Sequence, residues 1–406
     1  MMNKFILRAL VLFIPILSAC VPEYTTISLR RELGVKMADS SATDETVYLF
    51  YNLKKLSEKK IIFGHHESSS YGLGWNGDPG RSDVKDVIGE FPGLYGWDLT
   101  FISPEINLNS MKDPARKLTK EAYGRGGVNI YCWHQNNPVT GLNFYDTTRA
   151  VDKILPGGDA FLKYLATLDK VAEYFKSLVD SSGKPIPVIF RPYHEFDGSW
   201  FWWGKNFCSK DEFIALWRET VTYLRDKKGV RNIIYAFSPD RNFHTKETYL
   251  ERYPGDEYVD ILGVDIYWDF TPDGEGLESI KNKLKIISDV AKEKNKIAAF
   301  TETGLEGLPH PEWWTKRLFP VIEGDSINLA FVMLWRNATQ SHHFAPYRGS
   351  ISSEDFLDFG NKDKILFEDQ LPKLYTQKVT DETFKQINEQ KEIRILRIIG
   401  SRPLSF

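Results

Sequence analysis

Two glutamates set the chemistry this sequence could perform. Glu195 closes the segment Val188-Ile189-Phe190-Arg191-Pro192-Tyr193-His194-Glu195, and Glu302 closes Ile297-Ala298-Ala299-Phe300-Thr301-Glu302. Each follows a short apolar run of the kind that forms a buried strand. Two carboxyls facing one another can cleave a glycosidic bond. One stays protonated and gives its proton to the leaving oxygen; the other is ionised and attacks, or activates water. Burial and hydrogen bonding push the two pKa values apart. Imidazoles, indoles and further carboxyls recur at the ends of other apolar runs: His65-His66, Trp97-Asp98, Trp133-His134, Asp240, Asp265-Ile266-Tyr267-Trp268 and Trp335-Arg336. Trp97, Trp133, Trp200, Trp202, Trp203, Trp268 and Trp335, most of the 11 tryptophans, lie at or just past such ends. Indole faces suit the apolar faces of sugar rings, so the expectation is a carbohydrate platform gathered around the two carboxyls. Arg191 can support the glutamates by charge, lowering the pKa of the ionised one, or equally serve as a buried barrel ion pair.

The elements that must position these residues follow from periodicity. Eight short runs, partly β-branched, recur at 61–63, 94–97, 128–131, 188–190, 232–235, 261–264, 297–300 and 329–332. Between them, 161–178, 211–224 and 277–290 repeat apolar residues near a 3.6 period, and Ser209 or Asp211 can cap the second. Strand–helix alternation implies right-handed crossovers and a parallel sheet. The expected fold class is α/β, a single (β/α)8 TIM barrel, with polar residues at the C-terminal strand ends where barrel sites form. On strands three apart in a closed barrel, Glu195 and Glu302 would face each other across the mouth. An open doubly wound sheet is the alternative, disfavoured because no G-x-G-x-x-G follows the first strand.

Composition bounds the partners. The chain has 406 residues, 42% hydrophobic and 26% charged, with a net charge of −3, which gives no electrostatic footprint for nucleic acid. Three cysteines are too few for a disulfide scaffold or a four-thiolate zinc site. Lys4 and Arg8, then the apolar run 9–17, then Leu17-Ser18-Ala19-Cys20, read as a secretory signal that resembles a bacterial lipobox. Residues 1–19 would be the leader, Cys20 the lipidated first residue, and 20–44 a tether. The catalytic domain would run over 45–360, with 361–406 packing on or trailing the barrel. Location at the cell envelope follows, held by the lipid anchor alone. Pairing of Cys132 with Cys208 stays open.

Arg191-Pro192-Tyr193-His194-Glu195-Phe196-Asp197-Gly198-Ser199-Trp200-Phe201-Trp202-Trp203-Gly204 resembles the acid/base segment of family 26 glycoside hydrolases, and Phe300-Thr301-Glu302-Thr303-Gly304 resembles that family's nucleophile strand. The resemblance covers about residues 45 to 360 and implies a retaining β-mannanase needing no cofactor and acting as a monomer. It makes Glu195 the acid/base and Glu302 the nucleophile. It also implies that His134 and His194 bind substrate, that Tyr267 hydrogen-bonds the nucleophile with Asp265 close by, that Trp335 with Arg336 flanks the reacting sugar, and that Trp200 is an aromatic of the cleft. Past Gly204, and in the loops after the second and third runs, the similarity gives no pattern from which outer subsites can be read.

Three alternatives stand beside this. A metallohydrolase could use His65-His66, His134, His194 and His342-His343, although no H-E-x-x-H is present. A glycan-binding lipoprotein would need the aromatics but not the two glutamates. Within the family, release of mannobiose from chain ends, or action on mixed-linkage β-glucan or β-1,3-xylan, would use the same centre.

Overall fold

The computed structural model describes residues 29–109 and 114–401. Cys20 and the leader lie outside the described residues. Eight parallel strands form the barrel: β1 (Ile61–His66), β2 (Leu94–Asp98), β3 (Val128–Trp133), β4 (Val188–Pro192), β5 (Ile233–Phe237), β6 (Ile261–Ile266), β7 (Ile297–Thr303) and β8 (Phe331–Leu334). Each of the eight expected runs lies in or overlaps one of them. Neighbours in sequence are neighbours in the sheet, and β8 pairs back onto β1, with Ile62 opposite Phe331 and His65 opposite Leu334. That closure excludes the open-sheet alternative and pairs each of the eight barrel strands on both sides.

The strands are buried along almost their whole length because helices cover the outside while side chains fill the inside. Two layers of core result. Inside the barrel, Ile62, Leu94, Ile130, Ile189, Ile234, Ile261, Ala299 and Met333 pack together. Outside it, Phe63, Tyr95, Tyr131, Phe190, Tyr235 and Phe300 meet the helices. The helices Phe161–Ser177, Lys210–Thr222 and Leu277–Lys294 match the expected periods. Ser209 and Glu212 form a reciprocal capping box at the start of the second, which runs on into a π-helical turn, Tyr223–Lys227.

The end from which the strands start is plugged. Leu49, Phe50, Leu53 and Leu56 of helix Asp44–Leu56 share the barrel-interior core with Leu374, Tyr375, Val379, Phe384 and Ile387. Asn52 donates to the carbonyls of Leu374 and Gln377 and accepts from the backbone of Val379, and Tyr375 Oη donates to the carbonyl of Gly127, just before β3. A short strand, β9 (Ile365–Leu366), joins β1. Residues 365–387 are thus part of the barrel's packing, and Asp381–Ser401 is helical.

Within the expected tether over 20–44, the described stretch around Ala38 is docked on the barrel. Ala38, Asp39 and Ala42 are buried; Ala38 N–H donates to Asp260 at 2.6 Å, and Asp39 pairs with Arg231 at 2.9 Å. Asp260 is a fully buried carboxylate that needs donors, and this stretch of chain supplies one.

Candidate active site

At the C-terminal ends of the strands lies a cavity of about 650 Å³, into which Glu195, Glu302, His134, His194, Trp200, Tyr267 and Trp335 all project. These include both expected glutamates and most of the expected substrate-binding residues.

Glu302 comes from the end of β7, and both of its oxygens are engaged. Tyr267 Oη donates to Oε1 at 2.7 Å, and Arg191 donates to Oε2. Arg191 is fully buried; its other amino group donates to Asp265 at 2.5 Å and to Ser238 Oγ at 3.2 Å. One cation is therefore shared between two carboxylates.

Glu195 stands on the turn just after β4, in a left-handed conformation with φ 54°, and Tyr193 two residues earlier has φ 50°. Non-glycine residues occupy this region at a cost, and such outliers gather at functional sites. Here the conformation turns the Glu195 carboxyl inward, where Trp200 Nε1 donates to it at 2.7 Å. Burial pushes the Glu195 carboxyl well above the usual carboxylate range, and the negative charges of Glu302, Asp240 and Asp265 push it further, against the small opposing effect of the Trp200 hydrogen bond. The two glutamates thus differ in partners: an arginine and a tyrosine on one, an indole and unfavourable burial on the other.

His134 follows β3, its Nδ1 2.7 Å from Asp98 Oδ2 at the end of β2. Burial raises the Asp98 carboxyl, but the His134 ring and hydrogen bonds from Thr100 outweigh it and bring it down to about 2. Asp98 fixes which nitrogen of His134 faces the cavity. His194 packs edge-on against His134 with ring centroids 4.6 Å apart, and burial followed by repulsion from Arg191 drives its pKa well below 6.5. A neutral imidazole results, and among the described residues its buried Nδ1 has no hydrogen-bond partner. Trp335 lies across His66, with centroids 4.5 Å apart, and His66 Nε2 stands 4.0 Å from Glu302. His66 therefore enters this site as a neighbour of the Glu302 carboxyl.

Two expectations are corrected. First, Trp97, Trp133, Trp202 and Trp203 are fully buried core residues, leaving Trp200, Trp268 and Trp335 on the cavity. Trp202 and Trp203 donate to the carbonyls of Gln135 and His194, so they brace the strand-end loops from beneath. Second, Asp265 is fully buried with its oxygens bonded to Arg191, Ser238 and Thr301, and it acts under the sugar site rather than in it. Arg336, next to Trp335, donates to Tyr71 Oη at 3.1 Å. Cys132 and Cys208 are separate buried thiols. Among the described residues, one group has ligand-type atoms close enough for a metal, Asp98, Cys132 and His134, and there the Asp98 carboxylate already holds His134 Nδ1.

Loop positions also depend on a buried clasp that sequence reasoning missed. Asp83 accepts from Trp75 Nε1 at 2.6 Å, from Leu73 N–H at 2.9 Å and from Asn337 Nδ2 at 2.9 Å. Asn337 in turn accepts from the N–H groups of Phe344 and Ala345. The clasp ties the loop after β1 to the loop after β8. Replacing Asn337 by Ala strands two buried N–H donors and takes one of its two donors from Asp83 Oδ2, which keeps the Leu73 N–H, and is expected to destabilise the fold by about 3 kcal/mol. A urea unfolding curve checks this through its midpoint.

A closed (β/α)8 barrel whose mouth holds two unlike carboxyls, imidazoles and aromatic planes belongs to the class of barrels built to cleave glycosidic bonds. The profile of Glycosyl hydrolase family 26 matches residues 38–304, and the chain belongs to that family. A mannan endo-1,4-beta-mannosidase of Bifidobacterium adolescentis is 33% identical over 359 residues; the alignment takes in 82% of this chain but 35% of that protein's length. The solved GH26 beta-mannanase of Bacteroides ovatus, BoMan26A, is 43% identical with a TM-score of 0.79, covering 83% of this chain and 99% of that one. The endo-beta-1,4-mannanase of Cellulomonas fimi is 35% identical with a TM-score of 0.77, over 85% of this chain and 80% of that structure.

Proposed function

We propose that this protein is a retaining, endo-acting β-1,4-mannanase, with Glu195 as acid/base and Glu302 as nucleophile. The observation that carries this reading is the unlike surroundings of two glutamates projecting into one cavity. In the first step a Glu302 carboxylate oxygen attacks the anomeric carbon. The glycosidic C–O bond breaks, and the proton of Glu195 passes to the leaving oxygen. In the second step Glu195, now ionised, takes a proton from water, whose oxygen attacks the same carbon and frees Glu302. The charge of Glu302 is one of the causes that raise Glu195. Esterification of Glu302 removes that charge, so Glu195 becomes easier to ionise when it must act as a base.

Mannan as substrate is inferred from the named activities of the relatives. Trp268 and Trp200 are exposed beside the cavity and offer aromatic faces for further sugars of a bound chain, which supports attack on a polymer. The sequence Leu17-Ser18-Ala19-Cys20 supports lipid anchoring at the cell envelope. A time course on linear β-1,4-mannan, with products resolved by length, tests the activity. A spread of oligosaccharides at early times is expected. Mannobiose alone would mean an exo-acting enzyme, and no product would turn attention to mixed-linkage glucan and β-1,3-xylan.

The pH dependence follows from the sign of the Glu195 shift. Its carboxyl is raised, so the proton needed by the leaving group is present at low pH and lost as pH rises through that raised value. The profile of kcat/KM is expected to be bell-shaped, with a basic limb well above the ordinary carboxylate range. A flat profile between about pH 4 and pH 9 would rule out two-carboxylate catalysis.

A further inference from the structure

The loop after β5 lies against the Glu195 turn, and one side chain joins them. Asp197 Oδ1 accepts from the backbone N–H of Asp240 at 2.6 Å, and Oδ2 accepts from that of Asn242 at 3.0 Å. Asn242 Nδ2 returns to the carbonyl of Asp197 at 3.4 Å and to Asp240 Oδ2 at 3.3 Å. Beside this contact, Glu195 N–H donates to the carbonyl of Ser238 at 2.9 Å, and the Glu195 carbonyl accepts from Gly198 N–H at 3.0 Å. The clasp therefore grips both flanks of a residue in an unfavourable left-handed conformation. Gly198 belongs to the same turn: a Cβ there would stand 2.3 Å from the Trp200 ring, whose indole N–H holds the Glu195 carboxyl. Asp197 reaches neither the cavity nor Glu195's own carboxyl; its partners are backbone groups of the next loop.

We propose that Asp197 is the positioning residue of the acid/base: by fastening the loop after β5 to the Glu195 turn, it holds the Glu195 carboxyl and its Trp200 partner in line with the leaving oxygen. Without the clasp the turn can relax toward ordinary φ values and swing the carboxyl away. Proton transfer depends steeply on such geometry, whereas attack by Glu302 does not use this turn. The effect should then fall on acid/base assistance alone. This rests on the assignment of Glu195 made above.

The test compares Asp197→Asn, which keeps the volume but turns an N–H₂ toward a backbone N–H, and Asp197→Ala, with the unmodified protein. Two substrates are used: mannotetraose, whose leaving group needs a proton, and 2,4-dinitrophenyl β-mannobioside, whose leaving group does not. For both variants kcat/KM on mannotetraose should fall at least about 30-fold, and on the dinitrophenyl substrate less than about 3-fold. Azide should raise turnover of the latter by replacing the activated water. Equal losses on both substrates, or no loss on mannotetraose, overturn the proposal. A substrate-free reading accompanies this. Ionisation of Glu195 beside Trp200, facing the charges of Glu302, Asp240 and Asp265, should appear as a pH titration of tryptophan fluorescence that is lost in Glu195→Gln. In Asp197→Asn the midpoint should move or the amplitude vanish. If the unmodified protein cleaves neither compound, the mannanase reading fails. The fluorescence titration then decides, and an unchanged midpoint and amplitude in Asp197→Asn overturn the clasp.

Discussion

Glu302→Gln is expected to lower kcat on β-1,4-mannan by about 10⁴-fold or more, the scale of losing a nucleophile, and to leave binding of manno-oligosaccharide nearly unchanged. The amide keeps the shape of the carboxylate and can still accept from Tyr267, but it has no negative charge for Arg191 and no oxygen able to form the ester. Glu195→Gln should behave differently. It removes the proton donor but leaves Glu302 and Arg191 intact, so the loss on mannan should be about 10²- to 10⁴-fold. On a dinitrophenyl glycoside the covalent intermediate should still form and then accumulate, visible as a burst of dinitrophenol. Stopped-flow absorbance on the two variants separates the roles: a burst with Glu195→Gln and none with Glu302→Gln. Reversal of that pattern would exchange the assignments, and full hydrolysis by Glu302→Gln would end the two-carboxylate reading. The same pair of variants also decides against a purely glycan-binding protein, for which neither change would matter beyond affinity.

Much of this site was legible because a parallel barrel writes itself simply into sequence. Strands buried on both faces appear as short β-branched runs such as Val188-Ile189-Phe190, and the fold sends the residue after each run to the same rim. Glu195 and Glu302 could be paired across the mouth for that reason. What sequence does not reveal is which side of the rim a given side chain takes. Trp202 and Trp203 sit two and three residues past Trp200, yet they turn into the core, where they donate to the carbonyls of Gln135 and His194, while Trp200 is exposed and donates to Glu195. Local pattern carries no mark of these partners, nor of the left-handed conformation at the non-glycine residues Tyr193 and Glu195. Partnerships between distant segments were equally silent. Asp98 with His134, Asp83 with Asn337, and Asn52 with the backbone after Leu374 join residues 36, 254 and more than 300 positions apart. The docking of the stretch around Ala38 was silent on the same ground: nothing local to Ala38 announces that the buried Asp260 needs its N–H.

Arg191→Met should reach both stability and catalysis. The guanidinium is fully buried and is shared by Asp265, Glu302 and Ser238. Methionine fills most of the volume but leaves two carboxyls facing each other without a cation. Removing one partner from a buried ionic cluster typically costs about 3 to 5 kcal/mol, because the remaining charge is neither solvated nor paired. Part of that cost is avoided if the pair of carboxyls retains a proton, and this gives the catalytic prediction its sign. Ionisation of the pair is disfavoured once Arg191 is gone, so the ionised nucleophile is available only at higher pH. The acidic limb of the kcat/KM profile should therefore move upward while the basic limb, which belongs to Glu195, moves little. Arg191→Lys makes the distinction sharper. A lysine restores the charge but, as a single point donor on a flexible stem, cannot bond Asp265 and Glu302 with two separate nitrogens as the guanidinium does. It should recover more of the stability than of the rate. Urea unfolding at neutral pH, set beside pH–rate profiles of the two variants, reads both effects. A rate loss in Arg191→Met with both limbs unmoved would mean that Arg191 holds the barrel together without setting the charge of its nucleophile.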